Sequence, residues 1–248
     1  MAYTPSAAPN TVGIGDDAVV YHIPESAQAI VEGAATNSPS TKVGYFYAVI
    51  SAASAQSAFH GVKAGGLYFC SSADATVALA LAVGDKAVEF KIDSANLLGF
   101  ARDKSMSFSR NTFDTRTDAD KIASQAADVV ASISGSISGF NRRQSAGTPQ
   151  SAFMSRFIST NMEKSDGTWE SNSPDAVIDT LLFMWDGKSI SAGDHFEATL
   201  LPCYLTSNER GASYGAAAPM SFNFVGTANN EKGASAAFCA STWAVAID

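Results

Sequence analysis

Two short runs of alternating serine and apolar residues, KSMSFSR and SISGSIS, lie within the stretch from Lys104 to Phe140. In the first, Met106 and Phe108 fall on one side of an extended chain, and Ser105, Ser107 and Ser109 on the other. In the second, Ile133, Gly135 and Ile137 share a side and the serines take the opposite one. A period of two is the signature of a strand with one covered and one wet face. Each run would reach about 23 Å at about 3.3 Å per residue. Neither face carries much bulk, so the strands suit pairing and assembly better than enclosing a pocket. Between the runs lie an Asp-Thr-rich corner and Asp118 to Val130, where Ile122, Ala126 and Val129 fit helical spacing. A short helix and a structured loop are both open there.

The rest of the chain reads mostly as strands. Met1 to Gly15 is broken by Pro5, Pro9, Gly13 and Gly15 and is expected to be an arm. AVVYHI, VGYFYAVI, LYFC, TVALALAV and KAVEFKI follow as strand candidates. In KAVEFKI, Val88, Phe90 and Ile92 are expected inward, with Lys86, Glu89 and Lys91 nearer solvent. A helix is predicted to start at Thr148, which can cap it, with Pro149 in its first turn. Phe153, Met154, Phe157 and Ile158 would share its buried face. AVIDTLLFMW, HFEATLLPCYL and MSFNFVG are three further strands, and Pro202 suggests a sheet edge or bulge in the second. Thr242 to Ile247 is a last strand candidate, in a C-terminal arm from 227 to 248 that could pair with a neighbour. The pattern predicts a mainly β fold, a β-sandwich or half-barrel with one supporting α-helix, in a single domain over 16–226.

Composition excludes several function classes. Only 16% of residues are charged and 46% are apolar, with much alanine and serine, which suits broad protein–protein contact. The net charge of −8 disfavours sequence-specific binding of nucleic acid and would repel phosphates. Cys70, Cys203 and Cys239 lie far apart, and their odd number leaves at least one unpaired. Buried thiols are favoured over a bond between subunits. His22, His60 and His195 are widely separated, so no zinc site is expected. Asp114, Asp118 and Asp120 lack the Gly and Glu that complete an EF-hand loop and read as a capped turn. No nucleophile motif or phosphate-binding loop is present, so neither enzyme activity nor a cofactor or metal is expected. The start of the chain lacks the basic-then-apolar pattern of a secretory signal, and ATVALALAV is too short to span a bilayer.

One family combines these features. A short alternating strand, Asp-Thr-x-Thr at Asp114 to Thr117, an acidic segment and a Ser-Ile-Ser strand together resemble bacteriophage tail tube proteins. Gly193 to Thr199, a strand, the polar linker TSNERGASYGAAAP and Met220 to Gly226 extend the resemblance, which covers about Leu97 to Gly226. It implies hexameric rings that stack into a tube, with strands of all six subunits completing an inner β-barrel. It also implies other tail proteins as partners, DNA passing through the lumen without specific binding, no membrane, and a place in the virion tail after assembly in the host cytoplasm. Under that reading the lumen-facing acidic candidates are Glu89, Asp93, Asp103 and Asp114, and the helix candidates are Phe153, Phe157 and Ile158. The alternative is another virion assembly protein, such as a capsid decoration or fibre subunit.

Overall fold

The computed structural model describes residues 18–33, 42–51, 66–70, 81, 83–92, 97–98, 101–114, 125–140, 153–163, 166–172, 177–185, 195–212, 214, 217–227 and 244–247. Among them the strands are β1 (Val19–Ile23), β2 (Gln28–Glu32), β3 (Tyr45–Ser51), β4 (Leu67–Cys70), β5 (Lys86–Lys91), β6 (Ala101–Asp114) and β7 (Gln125–Phe140). They continue with β8 (Thr160–Glu163), β9 (Trp169–Asn172), β10 (Asp179–Met184), β11 (His195–Phe196), β12 (Ala198–Arg210), β13 (Pro219–Gly226) and β14 (Ala244–Ile247). One six-stranded sheet has the order β1-β10-β12-β13-β7-β6, a second has β11-β14-β4-β3-β5-β2, and β8 pairs with β9 as a hairpin.

The two sheets share a core. Ile23, Leu182, Met184 and Leu200 of the first sheet pack with Phe46, Leu67, Val88 and Phe90 of the second. The opposite face of the first sheet buries Val20, Leu181, Phe183, Leu201, Ile137, Phe222 and Phe224 with Phe153 and Met154. Every residue of β10 is buried, because this strand is covered on both sides. A near-continuous apolar run is what such a strand requires. The first sheet curls: the Lys104 ammonium on β6 donates to the Ala18 carbonyl beside β1 at 2.7 Å, linking strands at its two ends. The fold is therefore the expected mainly β one, with a half-barrel sheet closed on one side by a single helical turn at residues 153–155.

Several expectations are corrected. Residues 125–130 are strand, not helix or loop: 125–127 pair with Asp114, Phe113 and Thr112 of β6, and 128–130 span an irregularity before the ladder resumes at Ala131. The helix is one turn long among the described residues; Phe153 is fully buried and Phe157 half-buried, but Ile158 is 50% exposed and does not belong to the core. Thr148 and Pro149, the expected helix start, lie outside the described residues, as do residues 1–17 and most of TVALALAV. Pro202 sits inside β12, between β10 and β13. Its carbonyl accepts from the Thr227 N–H at 2.8 Å. The N and O of one residue face the same side of a strand, so its missing donor falls on the rung where the β13 ladder ends. TSNER, expected in a linker, is the continuation of β12. Residues 244–247, expected in an arm that pairs with a neighbour, add as β14 between β11 and β4 of their own chain.

Candidate functional site

The second sheet covers only half of one face of the first. Along β12 burial stops at Tyr204, where the ladder to β10 has ended. Beyond it, the last part of β12 with β13, β7 and β6 forms a four-stranded sheet whose outer face is bare. Register places the side chains of that face in rows. One row is Asp103, Ser138, Ser221 and Glu209; the next is Ser105, Ser136, Asn223 and Ser207; a third is Ser107, Ser134, Val225 and Tyr204. Ser105 and Ser136 share a hydroxyl hydrogen bond of 2.8 Å, Ser109 and Ser132 one of 3.2 Å, and the Asn223 amide donates to the Ser207 hydroxyl at 2.7 Å. These pairs satisfy one another across strands while staying wet, so the face is polar, with its charge gathered around the row of Asp103 and Glu209.

The inner face of the same strands explains why one alternating position is glycine. Gly135 stands opposite both Met106 and Phe224. A β-carbon built on it would lie 2.5 Å from the Phe224 ring and 2.1 Å from the Ser105 carbonyl oxygen. Phe224 therefore occupies the space that a side chain would need. Gly135 shares its side with Ile133 and Ile137, as the sequence predicts, and Ile137 is fully buried.

Two edges of this four-stranded sheet are open. β6 is the terminal strand of its sheet, so its outer edge has no strand partner over 14 residues among the described chain. The edge of β12 from Tyr204 to Arg210 is likewise free on the side away from β13, since β10 reaches only as far as Cys203. Neighbouring strands are antiparallel throughout, so β6 and β12 run in opposite directions. The hairpin of β6 and β7 also overhangs. β13 meets β7 from Phe140 only to Ser134, leaving Gln125 to Ile133 in a two-stranded ribbon about 30 Å long. A two-stranded ribbon is marginally stable in water by itself.

The acidic candidates separate clearly. Asp103 is exposed and stands on the bare face. Asp114 ends β6 opposite Gln125, at the far tip of the ribbon. Asp93 lies outside the described residues. Glu89 corrects the expectation: it is 5% exposed, accepting from the Tyr47 hydroxyl at 3.0 Å and from the Lys42 ammonium. β5 lies between β3 and β2 in the second sheet and is buried on both faces from Ala87 to Phe90, so Glu89 does not reach solvent although Lys91 at the strand end does. Burial, with the Glu89 carboxylate beside it, pushes the Tyr47 phenol well above its usual value. The charged residues of the bare face that the sequence did not single out are Glu209 and Arg102. Arg102 is the extra residue of a bulge between Ala101 and Asp103, and its guanidinium lies 5.6 Å over the Phe140 ring. Together with Asp103, Glu209 and Arg210 it walls an open depression floored by Ser138 and Ser221.

A buried network holds the helical turn against the sheet. Asp179 on β10 accepts from His22 Nε2 at 3.0 Å and, in a forked pair, from Arg156 Nη2 at 3.0 Å and Nε at 3.1 Å. Burial alone would raise this carboxyl, but the His22 and Arg156 hydrogen bonds and their charges outweigh it and hold it below its usual value. The Phe153 ring meets His22 and Phe222 edge-on, each at 5.2 Å. Cys70 and Cys203 are fully buried free thiols, and Cys239 lies outside the described residues. Burial pushes the Cys203 thiol up, and the nearby Asp179 charge adds to it.

No family model matches the chain, and no curated protein matches it in sequence. Among solved structures, it is similar to a chain from the tail of an empty gene transfer agent particle, refined helically with C6 symmetry. That likeness has a TM-score of 0.36 and 16% identity, over 56% of this chain and 89% of the other. A chain from the virion of a native gene transfer agent particle is similar at a TM-score of 0.36 and 14% identity, over 53% of this chain and 83% of the other. Likenesses of this size leave function to be read from the geometry.

Proposed function

We propose that this protein is a structural subunit of a phage-type tail tube, acting by assembly rather than by catalysis. The observation that carries the proposal is the four-stranded sheet with two open edges and a bare, hydroxyl-lined face. Because four strands alternate in direction, β6 of one copy meets β12 of the next in antiparallel pairing without any turn of the protomer. Such a head-to-tail contact is heterologous and closes into a ring when its rotation allows. Closure removes both edges, which is how barrels avoid edge-to-edge aggregation. The bare face then becomes the wall of a lumen.

Six copies, the number implied by the sequence resemblance, would supply about 24 strands. At about 4.8 Å between strands and a tilt of about 40°, the wall is roughly 48 Å across between backbones. Half as many strands would make roughly 24 Å. That bore is too tight for a duplex once side chains are counted, so the proposal requires all four strands. A wall of hydroxyl groups whose cations, Arg102 and Arg210, are matched by the carboxylates Asp103 and Glu209 gives phosphates little to hold, and DNA passes. Stacked rings in the virion tail, assembled in the host cytoplasm with other tail proteins, complete the reading.

The test is negative-stain microscopy of the purified chain across a concentration series. Hollow tubes or six-membered rings are the expected result. A small closed oligomer without a bore would instead favour a capsid decoration or fibre subunit, and a persistent monomer would overturn the reading.

A further inference from the structure

Resting on the ring reading, we infer that Arg102 of one copy bridges two carboxylates at each junction: its own Asp103 and Glu209 of the adjoining copy. The row Asp103–Ser138–Ser221–Glu209 is in register across all four strands, with an acidic residue at each end. Those ends are the two open edges, β6 and β12. Continuing the row from copy to copy without slip brings Asp103 beside the next copy's Glu209. Like charges directly opposite on neighbouring strands are destabilising. A junction built this way needs a cation on the same face.

Arg102 is that cation. The bulge at Ala101/Asp103 puts its side chain over Phe140, which is two residues from Ser138 and so on the bare face. Within one copy it cannot serve Glu209. Three strand spacings put β6 and β12 about 14 Å apart, and none of the ion pairs found among the described residues involves Arg102, Asp103 or Glu209. A guanidinium has five donors in a planar fork, enough for two carboxylates at once. The partner is thus a second copy of this chain. Mixed signs at the two edges, not net charge, fix which rung meets which.

Charge reversal and its repair test the bridge. Arg102→Glu places three carboxylates at each junction. It is expected to raise the concentration needed for assembly at least about tenfold in low salt, with recovery near 1 M salt, where screening acts within about 3 Å. The double variant Arg102→Glu with Glu209→Arg restores one cation between two carboxylates and should assemble within about threefold of the unaltered chain. All three side chains are exposed, so unchanged melting temperatures establish that the variants fold. Assembly of Arg102→Glu at the unaltered concentration overturns the bridge while leaving the ring standing, as does a double variant that fails to recover. An unaltered chain that stays monomeric under sedimentation overturns the ring and the bridge together.

Discussion

Replacing Gly135 by alanine adds one methyl group at the point where the bare sheet and the buried core are separated only by backbone. The new β-carbon would lie 2.1 Å from the Ser105 carbonyl oxygen and 2.5 Å from Phe224 Cζ. Comfortable contacts between such atoms are about 3.5–4.0 Å, so one neighbour must retreat by about 1 Å or more. Phe224 has little room to do so. It is 1% exposed, and its ring lies 5.5 Å from Phe183, which stacks on Trp185 at 5.6 Å. The Ser105 carbonyl belongs to a strand hydrogen-bonded to β7, and moving it opens the hairpin. Overpacking of this kind costs about 1–3 kcal/mol. Alanine restricts the unfolded chain and returns about 0.4–1 kcal/mol. With a backbone atom as the tighter contact, the net loss should be about 2 kcal/mol, near the upper end of that difference. For a domain of this size that corresponds to a melting point lower by about 4–8 °C. Urea titration of the monomer and thermal melting should agree on this loss. A variant that melts within a degree of the unaltered chain would show that Phe224 does not sit over Gly135, and the pairing of β13 with β7 would have to be redrawn.

Phe153→Ala should cost about 3–5 kcal/mol in a denaturant titration, because the ring is fully buried between His22 and Phe222. Ile158→Ala should stay within about 0.5 kcal/mol, and equal losses at the two positions would contradict the single-turn helix. Folding lowers the Asp179 carboxyl below its unfolded value near about 3.9. Between the two values the unfolded chain binds more protons, so this stabilisation is complete above about pH 4 and disappears as pH falls through the folded value. Asp179→Asn should therefore flatten the acid limb of a stability–pH curve, and an unchanged limb would refute the role given to the network. Asp103→Lys should weaken assembly, because it removes one of the carboxylates that Arg102 bridges, and the tubes that do form should eject DNA more slowly, most of all near 0.01 M salt, where screening extends to about 30 Å. Equal ejection rates at all salt concentrations would remove Asp103 from the lumen.

What the sequence discloses about this fold is sidedness, and what it conceals is coverage. KSMSFSR and SISGSIS announce a strand pair with one polar face because their period is two, and the serine rows follow directly. The same rule misplaces Glu89, since alternation says which residues share a face and not whether another sheet lies over it. Helical spacing of Ile122, Ala126 and Val129 gave residues 125–130 a local option that the partner strand β6 overrides. Ile158 extends the apolar stripe of a helix that, among the described residues, is a single turn, with the next residue, Arg156, held by Asp179. Of the lining face, Asp103 was legible as an acid beside an alternating run. Glu209 was hidden because Ser207 and Glu209 alternate with polar Asn208 and Arg210, so no apolar period marks TSNER as strand. Arg102 reaches the face only through a bulge, and a bulge leaves no mark in a sequence of this kind.

Two open edges on one protomer are ordinarily an aggregation hazard, and the distribution of side chains here bears on why they would form an ordered ring instead. In the shared register the free edge of a neighbour's β12, Tyr204 to Arg210, lies beside residues 102–107 of β6, so both open edges are covered over the length that the four strands share. A copy that completes a ring forms two junctions where a copy added to an open chain forms one, which favours closure over open chains. Register is held from both sides of the strand. A slip of one residue against β7 would turn Met106 onto the hydroxyl face and Ser105 toward the core. It would also separate the charges at Asp103 and Glu209 from Arg102. Serine on one face and apolar residues on the other therefore do more than keep the strand soluble, because together they leave one alignment in which both faces are satisfied.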